Sequence, residues 1–250
     1  MVLIPAGSFQ MGDALGATDE RPVRTVIVSA FTMDKFEVTT GLWNEVATWA
    51  AASGYDIGPG DGSGKALDHP AYDVSWHEAV KWANARSERE ELEPCYTVDG
   101  IVYRTGENAP DCNWSASGYR LPTEAEWEKA ARGGAAGRRY PWSDSDEIDE
   151  SRANYNGYYD GTTPVGSFAP NGVGLYDMAG NVWEWCWDWY GSELPGGVDP
   201  RGPASGGSGR VVRGGGWYVY ANGCRVAHRG NYWPDYELGN LGFRLVRTAP

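Results

Sequence analysis

The chain has 250 residues and 41% apolar content, enough to bury a sizeable core and too much for a disordered segment. Its formal net charge of −13 repels phosphate backbones and anionic lipid surfaces, which argues against nucleic acid or a membrane surface as partner. No apolar run approaches the length of a membrane span, and no charged leader precedes an apolar stretch. The compartment stays open between cytoplasmic and, if a leader has been removed, secreted or surface-displayed.

The predicted elements are short. Residues 23–38, VRTVIVSAFTMDKFEV, alternate apolar and polar side chains and read as strand, turn, strand. In residues 39–53 a helical stripe of Leu42, Val46 and Trp49 follows an N-cap at Thr39 or Thr40. A Gly- and Asp-rich loop over 54–70 leads to a second helix over 75–90. There Ser75 and Glu78 form a capping box, and Trp76, Ala79, Val80 and Ala83 form the buried face. His77 on this helix is expected to be partly exposed. Residues 96–111 read as a hairpin-like insertion. A third helix over 119–134 has Thr123 and Glu126 as its capping box and Gly133 as its stop. The acidic run 144–150, DSDEIDE, reads as solvated loop.

The second half is strand and loop. In 183-WEWCWDWY-190 a period of two puts Trp183, Trp185, Trp187 and Trp189 on one side of a strand, a wall suited to a core. Glu184, Cys186 and Asp188 face the other way. With 35 Gly, 13 Trp and 15 Tyr, large rings must supply burial that long regular elements do not. No internal repeat or linker is visible, and one domain over 1–250 is expected.

Catalytic signatures are sparse. Cys95, Cys112, Cys186 and Cys224 show neither a C-x-x-C pair nor zinc-ligand spacing. Two disulfides, one, or none are compatible with the sequence, and a Cys95–Cys112 staple across the insertion is one option. His69, His77 and His228 are scattered. No nucleophile elbow, phosphate loop or paired-carboxylate signature occurs.

Six stretches in register resemble the sulfatase-modifying-factor family: 4-IPAGSFQMG-12, 34-DKFEVT-39, 72-YDVSWHEAVKWAN-84, 119-YRLPTEAEWEKAAR-132, 170-PNGVGLYDMAGNVWEWCWDWY-190 and 210-RVVRGGGWY with LGFRLVR-247. The resemblance implies an α+β, C-type-lectin-like fold of the formylglycine-generating-enzyme type. Such a fold has little regular secondary structure, a small twisted antiparallel sheet and flanking short helices. The family's oxidases convert a cysteine of a sulfatase to an aldehyde, using two cysteines that bind copper(I) just after an R-G-G-S motif. Soft thiolates suit that ion. Here 213-RGGGWYVYANGC-224 carries Gly216 in place of the serine, Val219 at the first cysteine position and Tyr220 at the histidine after it. Only Cys224 remains, as the catalytic candidate if the chain is an oxidase. Copper is therefore not expected.

The resemblance also implies structural calcium, held by loop carbonyls and a few side-chain oxygens. One candidate set is Asp177, the carbonyls of Gly180 and Val182, and Glu184. A second is Asn154, the carbonyl of Tyr155, Asp160 and the carbonyl of Thr162. The bland alternative is that Asp177 and Asn181 make Asx turns and Glu184 accepts backbone N–H groups.

Within the family, residues 213–247 are most similar to variable proteins diversified by retroelements, in which template adenines are replaced at random. The scaffold letters Trp217, Ala221, Cys224, Arg225, Ala227, Arg229, Pro234, Asp235 and Gly242-Phe243-Arg244 stand. The slots usually occupied by asparagine codons hold Tyr218, Val219, Tyr220, Asn222, Gly223, His228, Gly230, Asn231, Tyr232, Tyr236, Leu238, Gly239 and Asn240. AAC can become a Tyr, Val, Gly, His or Leu codon by changing adenines alone, whereas Trp233 and Glu237 need other templates. Tyrosine and tryptophan offer stiff amphipathic contact area while Gly and Asn adapt, which is the chemistry of recognition. These slots other than Gly239, together with Trp233, are the expected ligand-binding residues, with Arg225, Arg229 and Arg244 anchoring them from beneath. The function expected is non-catalytic binding of a protein or cell-surface ligand. The alternatives are an oxidase of the formylglycine-generating class and an inactive docking domain.

Overall fold

The computed structural model describes residues 1–59, 62–204, 207 and 209–249. Strands β1 (Val2–Ile4), β2 (Gly7–Met11), β3 (Arg24–Val28) and β4 (Phe31–Met33) open the chain. Helices α1 (Thr40–Ala52) and α2 (Trp76–Arg89) follow, then the small strands β5 (Tyr96–Val98), β6 (Ile101–Val102) and β7 (Asp111–Cys112) of the insertion. Helix α3 (Glu124–Arg132) precedes β8 (Trp183–Trp189), β9 (Gly197–Val198), β10 (Arg210–Arg213), β11 (Gly230–Tyr232), β12 (Leu241–Gly242) and β13 (Val246–Thr248). The strands pair as β1-β4-β13, β2-β3-β9, β6-β5-β7 and a central sheet β11-β10-β8-β12. In that sheet β8, β10 and β11 run antiparallel, while β12 lies parallel to β8. The closing strand β13 returns to pair with β4, so the two ends of the chain meet in one sheet.

Local sequence explains the helix boundaries. Thr39 caps α1 by accepting from the Leu42 N–H at 3.2 Å. Both predicted capping boxes form, Ser75 with Glu78 and Thr123 with Glu126. Gly133 ends α3 in the left-handed region at φ 54°. Two expectations shift. The buried stripe of α1 is Trp43, Val46, Ala47 and Ala50, with Leu42 and Trp49 only half-buried. The helix is rotated so that Trp43 stacks on Trp82 of α2 at 5.9 Å, with Phe243 set edge-on to both. His77 is buried rather than partly exposed, because Trp76 and Tyr103 flank it and the Tyr103 hydroxyl lies 3.0 Å from its Nδ1.

Two clusters make the main core. One joins α1, α2, β8 and β12 around Trp43, Trp76, Trp82, Trp185 and Phe243. The other packs α3 against β2, β3, β4 and β13 around Met11, Met33, Trp127 and Val211. Truncating one of these buried indoles costs about 3–5 kcal/mol by the usual large-to-small rule. Strand β8 serves both clusters: Trp183 and Trp185 enter the first, while Glu184, Cys186 and Asp188 are also fully buried on the opposite face. The alternation predicts the strand and leaves open that both faces are covered. Trp187 and Trp189 stay half-buried and, with Trp76, enclose the guanidinium of Arg210, which lies 3.7 Å from the Trp76 ring and 4.0 Å from the Trp189 ring. Burial there lowers the Arg210 pKa to about 9.

Candidate ligand-binding face

Strand β10 delivers the irregular segment and β12 takes the chain back into the core. Between them lie a tight turn, in which the Val219 N–H donates to the Gly216 carbonyl at 2.8 Å, a short 3-10 helix over Ala221–Cys224, and β11. Three arginines hold the segment from below. Arg225 makes two bonds to Glu20 at 2.5 and 2.6 Å, Arg229 makes two to Glu124 at 2.6 and 2.8 Å, and Arg244 makes two to Glu184, both at 2.7 Å. Burial works to raise the Glu20 carboxyl, but the His228 imidazole 3.7 Å away and the two hydrogen bonds from Arg225 outweigh it and hold it at about 2. Bidentate pairs of this kind fix a loop's position as well as its charge.

Above the arginines, Tyr220 is 74% exposed, Trp233 52%, Tyr218 50% and Tyr236 45%. Asn222 and Gly239 are exposed too, and Val219, His228, Gly230, Asn231, Tyr232 and Leu238 are half-buried. Several of the segment's rings meet in pairs or rest on the core. Tyr218 meets Trp217 edge-on at 4.9 Å, Tyr232 lies 6.2 Å from Tyr236, and Tyr232 rests edge-on against core Trp185. Gly223 and Asn240 depart from the expected contact set because both are buried. A Cβ on Gly223 would lie 2.3 Å from Val219 Cγ1, and one on Gly230 2.9 Å from Val212 Cγ2, so these glycines form the floor on which the rings stand. Asn240 is fully buried with neither amide atom partnered, and a Cβ on Gly216 would lie 2.8 Å from its Nδ2.

A neighbouring loop missed from the sequence extends the face. The Asn156 N–H donates to the Val219 carbonyl at 3.0 Å and the Gly157 N–H to the Trp217 carbonyl at 2.7 Å. This sets Tyr158, 65% exposed, beside the irregular segment. The available signal is the pair Tyr158-Tyr159 in a Gly- and Asn-rich loop, where exposed rings have no core to serve.

The calcium candidates come together in part. Asn154 and Gly180 bridge, and the Asn181 N–H donates to the Asn154 carbonyl at 2.8 Å, so the two loops touch. Asp177 is buried, with one oxygen accepting from the Gly166 N–H at 2.7 Å and Oδ1 unpartnered; Asn154 Oδ1 is likewise buried and unpartnered. These oxygens fit a hard cation. Glu184 fits less well, because Arg244 takes both its oxygens and the Trp127 indole N–H donates to one at 2.8 Å. The Asp160 side chain is exposed, Tyr155 and Thr162 are buried, and Thr162 Oγ1 lies 2.9 Å from His69 Nδ1. Among the described residues no group of three or more His, Cys, Asp and Glu side chains is placed to hold a metal. Asn181 pins the loops directly: its Oδ1 accepts from the Thr163 N–H at 3.0 Å and its Nδ2 donates to Glu37 at 2.7 Å.

Burial raises both acids beside this junction: Glu37 goes well above the usual carboxylate range, with Asp177 and Glu184 adding repulsion, and Asp177 rises to about 6. A raised folded-state pKa gives stability that is complete below the unfolded pKa and lost as pH rises through the folded value. In chelator, Asp177→Asn is therefore expected to leave stability nearly unchanged near pH 4 and to gain on the parent by about 2–3 kcal/mol near pH 7, read as the difference between urea unfolding free energies. Equal differences at the two pH values would contradict it.

All four cysteines are free thiols, including Cys95 and Cys112 on either side of the insertion. Cys224 is fully buried and burial pushes its thiol up to about 12. Val219, not a second sulfur, stands beside its loop, with the Val219 carbonyl 4.0 Å from Sγ. These residues do not fit a two-thiolate copper(I) site.

Residues 1–249 match the model of the sulfatase-modifying factor enzyme 1-like domain. The chain belongs to that family. Among relatives of this domain, the formylglycine-generating enzyme of Streptomyces coelicolor is 39% identical, with 99% of this chain aligned to 89% of that protein. The serine/threonine-protein kinase pkn1 of Chlamydia pneumoniae is 37% identical, 99% of this chain matching 38% of that longer protein. The structure of Treponema denticola variable protein 1 superposes with a TM-score of 0.85 at 34% identity, covering 100% of this chain and 95% of that one. The fold is thus the C-type-lectin-like fold of the formylglycine-generating type, as its few helices and small sheets imply. No helix among the described residues is long and apolar enough to cross a membrane.

Proposed function

We propose that this member of the sulfatase-modifying factor family binds a protein or cell-surface ligand through the ring face of residues 218–240 and catalyses nothing itself. The observation that carries this reading is the exposure of Tyr218, Tyr220, Trp233 and Tyr236 over a floor fixed by three buried arginine–glutamate pairs. Rigid support keeps the entropic cost of binding low, and exposed Tyr and Trp are the residue types that carry binding energy. The likeness to a structure named as a variable protein adds support. The test is selection of a random peptide display library on the intact chain. Recovered peptides should lose binding to a Tyr220→Ala, Trp233→Ala variant, and peptides indifferent to that variant would overturn the reading. Diversification by a retroelement adds its own expectation, a near-identical DNA repeat and a reverse transcriptase gene beside the coding sequence.

The second reading, an oxidase acting on a cysteine of a protein substrate, is favoured by the 39% identity to a formylglycine-generating enzyme. It requires that the chain bind copper(I) stoichiometrically and lose that binding on Cys224→Ser. A lone thiol held protonated by burial predicts neither. Titration with copper(I) against a competing chelator decides between them.

Calcium is proposed as a structural ion at Asp177 and the adjoining Gly180 and Val182 carbonyls, with Asn154 on the facing loop. The two unpartnered oxygens, Asp177 Oδ1 and Asn154 Oδ1, support it. Adding calcium to chelated protein is expected to raise the melting temperature by several degrees, and Asp177→Asn to remove most of that rise. A melt indifferent to calcium would dismiss the site.

A further inference from the structure

We infer that the ring face selects a cationic partner: a lysine- or arginine-rich segment of a protein, whose side chains lie against the exposed rings. The inference rests on the binding role proposed above and adds its chemical sign. Within residues 217–240 the cations and the acids are sorted by depth. Arg225 and Arg229 are both buried, and each spends its guanidinium on an internal glutamate. Asp235 and Glu237 are both exposed, flank Tyr236, and enter no ion pair among the described residues. Asp73 adds a third carboxylate at the edge, its Oδ1 3.9 Å from where a Cβ on Gly239 would lie.

What else faces these acids does little to cancel them. His77 lies within electrostatic reach of Asp235, but burial lowers its pKa to about 4, so it is neutral at physiological pH. Lys65 approaches only the far rim, its Nζ 3.7 Å from the position of a Cβ on Gly161. The result is a surface of ring faces bordered by carboxylates. A ring face attracts a cation through its quadrupole, and carboxylates at the border add long-range steering and a counter-charge. The same borders repel acidic partners, which sets specificity by exclusion as well as attraction. The molecule already shows that its rings hold guanidinium groups: Arg210 lies between Trp76 and Trp189, and Arg86 is 3.8 Å from the Tyr119 ring. Among the described residues, no guanidinium or ammonium group lies over the exposed rings Tyr218, Tyr220, Trp233 and Tyr236.

The test titrates two synthetic peptides into the intact chain at physiological ionic strength, one of alternating glycine and arginine and one of alternating glycine and glutamate, followed by calorimetry. The arginine peptide is expected to bind and the glutamate peptide not to. Asp235→Asn with Glu237→Gln should weaken the arginine peptide by roughly fivefold, the scale of two partly exposed charge contacts. The control is Glu91→Gln with Asp99→Asn, which removes the same charge at a distance. Glu91 lies past the C-terminal end of α2, whose opposite end meets the face through the Trp76 N–H and the Pro234 carbonyl. The control pair should change affinity by less than about twofold. Equal losses from the two pairs, or none from the face pair, would overturn the inference and assign any binding to diffuse net charge. The peptide selection separates this from the broader reading. Peptides that need Trp233 but are not enriched in lysine or arginine sink the cationic partner and leave the binding face standing; peptides that ignore Trp233 sink both.

Discussion

Arg244→Met is expected to destabilise the protein by about 3–5 kcal/mol, the cost of leaving a buried carboxylate without its partner. Glu184 and Arg244 are both fully buried, their two bonds are each 2.7 Å, and Arg244 also donates to the Tyr176 carbonyl at 3.0 Å. The guanidinium is one cation set among three carboxylates, since Glu37 and Asp177 press on the same junction. Removing it leaves Glu184 to take up a proton or to draw in water, and either outcome opens the seam between β8 and the segment that follows β12. A pair of buried charges earns little net stability over an apolar pair of similar volume. The double change Arg244→Met, Glu184→Leu should therefore recover a large part of the loss, although the Trp127 indole N–H then loses its acceptor. Urea unfolding of the two variants measures both quantities. A single-variant loss below about 1 kcal/mol would mean that water already reaches the pair.

The second large effect is on binding. Tyr220→Ala combined with Trp233→Ala is expected to weaken face-selected peptides by at least about thirtyfold, since a central aromatic anchor is commonly worth 2 kcal/mol or more. Its melting temperature should stay within a few degrees of the parent, because both rings are at least half exposed and sit outside the core clusters. Gly223→Ala gives the contrast. Its added methyl must displace Val219 from beneath the face, so it should disturb stability and binding together. A loss of binding in the aromatic variant that tracks an equal loss of fold would remove the rings from the contact surface.

Much of this was legible in the residues. Capping boxes are local, set by a hydroxyl and a carboxylate three positions apart, and Ser75, Glu78, Thr123 and Glu126 behave as their spacing requires. The period of two in β8 is local as well. Burial of its second face was not legible, because it depends on α3 and on Arg244, beyond β12, arriving to meet it: the Trp127 indole and Arg244 bond Glu184, and the Glu124 N–H donates to Asp188. The rotation of α1 likewise answers to Trp82 and Phe243, which sequence spacing does not reveal.

The candidate site divides along the same line. The sequence by itself determined the family motifs, the substitution of Val219 for a sulfur ligand, and a composition of rings and amides unsuited to a core. It also marked Arg225, Arg229 and Arg244 as anchors without naming what they hold. Only the tertiary structure decided that Glu20, Glu124 and Glu184 are those partners, that Gly223 and Asn240 lie beneath the face while Tyr220 and Trp233 stand above it, and that Tyr158 joins them. Which side of a loop meets water is set by what packs under it, and here that packing is done by residues as distant as Glu20, 205 positions from Arg225, and Asp13, 212 positions from it.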